Sequence, residues 1–135
     1  MRTSTKIKLV FSIFGDLLNP LLFSELTGIN PSSTWLKGDT ISNRINLFRK
    51  ETCWTYSYIE TLYLEELLEN FFQKFRPNLS KLSDYIKINN LETKVDIVVE
   101  IVNDEKPSLS FSNHFLDLVV KINGEIDIDL YYLVE

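Results

Sequence analysis

The sequence predicts an α+β fold, a two-layer sandwich in which a mainly antiparallel sheet carries its helices on one face. Three observations lead there. Segments with apolar residues at every second position recur along the chain and mark strands with one wet face. Between them lie segments with apolar residues at three- and four-residue spacing, the mark of helices that bury one stripe. A strand–helix–strand order appears in each half, which points to a ferredoxin-like arrangement or a duplicated split β-α-β. At 135 residues, 44% hydrophobic and 24% charged, the chain reads as a single domain over 1–135.

The elements follow in order. KIKLVFSIF, residues 6–14, places Ile7, Leu9, Phe11 and Ile13 on one face of a strand. In NPLLFSELTG, Asn19 is suited to accept from orphan N–H groups, Pro20 fits the first helical position, and Gly28 can end the helix. Residues 30–48 show no period and read as a long loop. Strand character returns in KETCWTYSY, with Trp54, Tyr56 and Tyr58 on one face. LYLEELLENFFQKF is the clearest helix, its stripe being Leu64, Leu67, Leu68, Phe71, Phe72 and Phe75. Pro77 interrupts it, and a second helix follows with Leu79, Leu82, Tyr85 and Ile86. The plain reading of these stripes is core packing. TKVDIVVEIV gives a strand with Val95, Ile97, Val99 and Ile101 inward, and residues 108–111 suggest a short strand after Pro107. Ser112 or Asn113 can cap a helix through Ile122, closed by Asn123-Gly124. EIDIDLYYL completes the set, alternating Ile126, Ile128, Leu130 and Tyr132 against Glu125, Asp127, Asp129 and Tyr131.

Composition excludes several functions. One cysteine, Cys53, forms no internal disulfide and no multi-cysteine metal site, and suits a reducing cytoplasm. The opening residues alternate instead of forming a continuous apolar segment, so no signal peptide is read, and no run is long enough for a membrane span. A net charge of −5 argues against nucleic-acid binding. Residues 1–58 carry seven Lys/Arg against four Asp/Glu, whereas residues 59–135 carry seven against fifteen. The acidic half dominates the field that a diffusing partner meets.

The catalytic inventory is thin. There is no HExxH, no phosphate-binding glycine loop and no nucleophile elbow. His114 falls at a helix start, and Cys53 beside Trp54 reads as a small buried hydrophobe. No catalytic, cofactor-binding or metal-binding residue is assigned. Binding candidates form two groups. Asp96 and Glu100 lie on the outer face of one strand, Asp127 and Asp129 on that of another. If those strands are neighbours, they make an acidic patch, which reads as a solvated face, a dock for a basic partner, or a divalent-cation site. The last is disfavoured because turn glycines and carbonyl ligands are lacking. In TWLKGD and the residues after it, Trp35, Lys37, Asp39 and Arg44 offer an aromatic surface among charges, either a ligand clamp or a turn whose Trp lids the core.

Together these pieces resemble the bacterial family catalogued as domain of unknown function 4279. The resemblance rests on FSIFGD closing the first strand, TGINP closing the short helix, the loop TWLKGD, the strand residue Trp54, the long acidic-apolar helix at 62–76, and IDIDLYY. It covers nearly the whole chain and departs at TISNRINLFRKETC, which is longer and more polar than the family pattern. The resemblance implies the α+β fold and a cytoplasmic bacterial setting, and it transfers no catalytic residue. Small acidic proteins of this kind also occur as immunity partners of secreted toxins. The expectation is therefore a non-enzymatic interaction protein, most concretely a bacterial immunity protein that neutralises a basic cognate toxin by binding and occlusion. The alternatives are a small-ligand or nucleotide-binding module using the Trp35–Asp39 loop, and a homodimer built through a strand edge.

Overall fold

The computed structural model describes residues 4–41, 45–58 and 60–134. Strand β1 (Lys6–Phe14) leads into helix α1 (Pro20–Thr27), then β2 (Ser33–Trp35) and β3 (Cys53–Ser57). Helices α2 (Leu64–Phe75) and α3 (Leu79–Ile88) follow, then β4 (Glu92–Val102), α4 (Asn113–Lys121) and β5 (Gly124–Leu133). The sheet order is β2-β3-β1-β4-β5. The first four strands are mutually antiparallel where they pair, and β5 is parallel to β4. The unit β1-α1-β2-β3-α2-β4 thus has the ferredoxin-like strand order, extended by one crossover through α4.

Local chemistry explains the boundaries. The Asn19 Oδ1 accepts from the Leu22 N–H at 3.2 Å, Pro20 opens α1, and Gly28 at φ 70° ends it by donating to the Ser24 carbonyl. Between α2 and α3, Arg76–Asn78 form one 3₁₀ turn around Pro77, which lacks the N–H that an unbroken helix would use. The Ser112 hydroxyl accepts from the Phe115 N–H at 3.3 Å and starts α4.

The core lies between the sheet and the helices. Ile7, Leu9, Phe11 and Ile13 of β1 and Val95, Ile97, Val99 and Ile101 of β4 meet the stripes of α2, α3 and α4. Aromatic rings fill its centre: Phe11 to Phe75 is 5.0 Å, Phe71 to Phe75 is 4.8 Å, and Phe23 to Trp54 is 4.8 Å between centroids. Each such edge or tilted pair adds about 0.5–1.5 kcal/mol beyond its buried area. The Trp54 indole N–H donates to the Ser24 hydroxyl at 2.9 Å, so the largest buried side chain leaves no orphan donor.

Three sequence expectations are corrected. Residues 108–111 form no strand; Leu109 and Phe111 instead pack on the core from an irregular segment. The described part of the 30–48 stretch is not structureless, because Ser33–Trp35 pair with β3 and Thr40 forms an antiparallel bridge with Phe48, while residues 42–44 lie outside the described residues. The alternation in β5 does not become burial. Ile126 is half-buried, but Ile128, Leu130 and Tyr132 are 40%, 52% and 62% exposed, since helix cover falls away along this edge strand.

Candidate functional site

Parity along the strands sorts the side chains between two faces. Positions paired with buried Leu9 and Ile97 face the helices, and the alternate positions face away from them. β4 and β5 run side by side with Asp96 opposite Asp127 and Val98 opposite Asp129. The two strands therefore gather Asp96, Asp127 and Asp129 on the helix-free face, as expected if they were neighbours. Glu100 shares that face and stands between Lys6 of β1 and Tyr131 of β5.

The patch is not uncompensated. Lys94, two residues before Asp96 and therefore on the same face, lies with its Nζ 2.6 Å from the Asp127 carboxylate and 3.7 Å from that of Asp96. The hydrogen bond to Asp127 and the charge of Asp96 push the Lys94 ammonium to a higher pKa. Asp96 itself is raised above the usual carboxylate range. Burial is the main cause, and the charges of Asp127 and Asp129 outweigh some of the help that Lys94 gives. Lys94 is the one cation that β4 and β5 contribute, against Glu92, Asp96, Glu100, Glu125, Asp127 and Asp129. Its place was legible from parity; its bridging role required knowing that β4 pairs with β5. Among the described residues, no group of three or more His, Cys, Asp or Glu side chains is arranged to hold a metal ion.

The second group of candidates sits at the opposite edge. β2 and β5 are separated by four strand spacings, roughly 20 Å. In TWLKGD the polar residues serve the turn. The Asp39 carboxylate accepts from the Leu36 N–H at 2.8 Å, the Asp39 N–H returns to the Leu36 carbonyl, and Gly38 takes φ 92°. The Lys37 Nζ pairs with Asp16 at 3.1 Å. Trp35 is directly opposite Cys53, on the helix-free face, so it does not lid the core expected for it. The cation above its ring is Arg49, at 4.0 Å from the centroid. Arg44 lies outside the described residues. Buried Cys53 has its thiol pushed up to about 11, chiefly by desolvation, which keeps it protonated at neutral pH.

One feature escaped sequence reasoning. β2 begins opposite Thr55, and a groove of about 610 Å³ runs beside α2, lined by Tyr56, Tyr58, Leu67 and Asn70. Lys74 reaches to 5.7 Å above the Tyr56 ring there. The short length of β2 carries no signal in the letters. His114 is exposed and pairs with Glu69 at 3.2 Å.

The described helices include none long and apolar enough to cross a membrane. No match was found among curated proteins or among solved structures. The profile of the domain of unknown function (DUF4279) matches residues 5–133, which takes in every strand and helix described above. The chain belongs to the DUF4279 family.

Proposed function

We propose that this chain is a non-enzymatic binding protein of the bacterial cytoplasm whose partner is a basic protein. In its most concrete form it is an immunity protein that occludes a cognate toxin. The observation that carries the reading is the convergence of Asp96, Asp127 and Asp129 on one sheet face, where burial and mutual repulsion already raise the Asp96 pKa. Like charges held together cost stability, and a cationic surface placed against them relieves that cost. The Trp35–Asp39 loop gives less support to a small-ligand site, since Asp39 and Lys37 are engaged within the fold.

The test uses the protein encoded beside this chain in its genome. Co-expression should suppress any toxicity of that protein, and the two should co-purify at low salt. The complex should weaken sharply at about 0.5 M NaCl, where charges are screened within a few ångströms, and in the double variant Asp127→Lys, Asp129→Lys. A complex indifferent to both salt and charge reversal would count against the acidic face as the dock.

A further inference from the structure

Resting on the reading of a basic partner, we propose the manner of its recognition: an extended segment of that partner adds to the sheet as a sixth strand along the open edge of β5. Three independent features of β5 lead there. The first is the edge itself. β5 closes one side of the sheet order, and among the described residues no strand pairs with its far side. Proteins usually blunt such edges with short strands, proline, lysine or a bulge. β5 has no proline, lysine or bulge: it runs for ten residues, and its pairing with β4 continues unbroken from Gly124 to Leu133. Its only such device is the negative charge of Glu125, Asp127 and Asp129, which a cationic segment would neutralise.

The second feature is apolar. Ile128, Leu130 and Tyr132 lie in register with buried Ile97, Val99 and Ile101, yet remain 40–62% exposed. An added strand would place its own apolar side chains beside them and extend the core by one row. The third is charge. Glu125, Asp127 and Asp129 alternate with those apolar residues on the other face. The complementary occupant is a segment in which Lys or Arg alternates with apolar residues. A second copy of this chain fits poorly. Antiparallel pairing of two β5 strands centred on residues 127–129 sets carboxylate against carboxylate, which is unfavourable across a sheet.

The probe is a ten-residue peptide alternating lysine and valine, titrated into the full chain at low salt. Amide hydrogen exchange of β5 is followed residue by residue. Strand addition should slow alternate β5 amides, those not bonded to β4, by about tenfold or more. The variant Asp127→Lys, Asp129→Lys should bind this peptide at least about fivefold more weakly and accept a glutamate–valine peptide instead. The variant Ile128→Ser, Leu130→Ser should weaken the lysine–valine peptide while leaving the affinity for plain oligolysine unchanged. All these side chains are at the surface, and an unaltered circular dichroism spectrum confirms that each variant folds. Binding without β5 protection overturns strand addition and leaves the acidic face as an electrostatic dock. Failure of the peptide to bind overturns strand addition as well, while the co-expression test separately decides the basic-partner reading. Protection of β5 that appears without peptide and grows with protein concentration assigns the edge to a second copy and overturns the proposal.

Discussion

Asp96 carries opposing influences in a single side chain. Burial and two neighbouring carboxylates raise its pKa, and Lys94 lowers it without prevailing. A carboxyl that holds its proton more tightly when folded contributes most stability below the unfolded range near 4, and loses that contribution as pH rises through the shifted range. Asp96→Asn should therefore flatten the decline of the thermal midpoint above pH 4 and leave the protein no less stable at pH 7. A lower midpoint at pH 7 would show that the contact with Lys94 outweighs desolvation. Glu69 has the opposite sign. Gln73 and then His114 lower its pKa, so its contribution is present above the carboxylate range and is lost on acidification. The residue scale was partly legible in the sequence. Parity put Asp96 on the outer face, but the 2.6 Å contact between Lys94 and Asp127 joins residues far apart in the chain. The Arg49–Trp35 stack was hidden for the same reason.

Elements whose ends carry their own chemistry were the most readable. Asn19, Pro20, Gly28 and Ser112 act where the letters placed them, because a cap is a contact within one turn. Residues 108–111 failed because a short apolar run serves an irregular segment as well as a strand. The junction of α4 and β5 is tight. A Cβ on Gly124 would lie 2.7 Å from the Thr93 hydroxyl and 3.2 Å from the Val119 carbonyl oxygen. The Thr93 hydroxyl is held by its bond to the Ile122 carbonyl. Gly124→Ala should cost about 1–3 kcal/mol in chemical unfolding, as overpacking does elsewhere. Farther along the strand the constraint vanishes. Ile128→Ser with Leu130→Ser should change unfolding free energy by no more than about 1 kcal/mol, since each is exposed. A larger loss would mean that β5 is covered in solution.

Across the whole molecule, the α+β class was legible from the rhythm of strands and helices, while the short β2 that completes the ferredoxin-like order and the parallel addition of β5 were not. Periodicity reports which face of a strand is buried and says nothing of which strand lies beside it. That pairing also shapes the electrostatics, because it draws the acidic residues of β4 and β5 together at one edge and leaves Lys6 and Lys8 on β1. The aromatic core holds both ends of the sheet together. Phe71 touches Phe11, Tyr58, Phe75 and Phe115, so Phe71→Ala should cost about 3–5 kcal/mol and lower the urea midpoint accordingly.

The position of β1 has a consequence for how the protein is made. It is made before every other strand of this sheet, yet it lies in the middle of the sheet, and Phe14 must wait for Glu92 before its second neighbour exists. At ordinary rates of synthesis that interval is on the order of 10 s. For that time a strand with Ile7, Leu9, Phe11 and Ile13 on one face has one hydrogen-bonding side without its native partner. Nascent chains halted within α3 should be digested readily by protease and held by chaperones, and those released beyond β4 should resist. Assembly of this sheet thus awaits the arrival of β4, and the edge formed by β5 is the last part of it to appear.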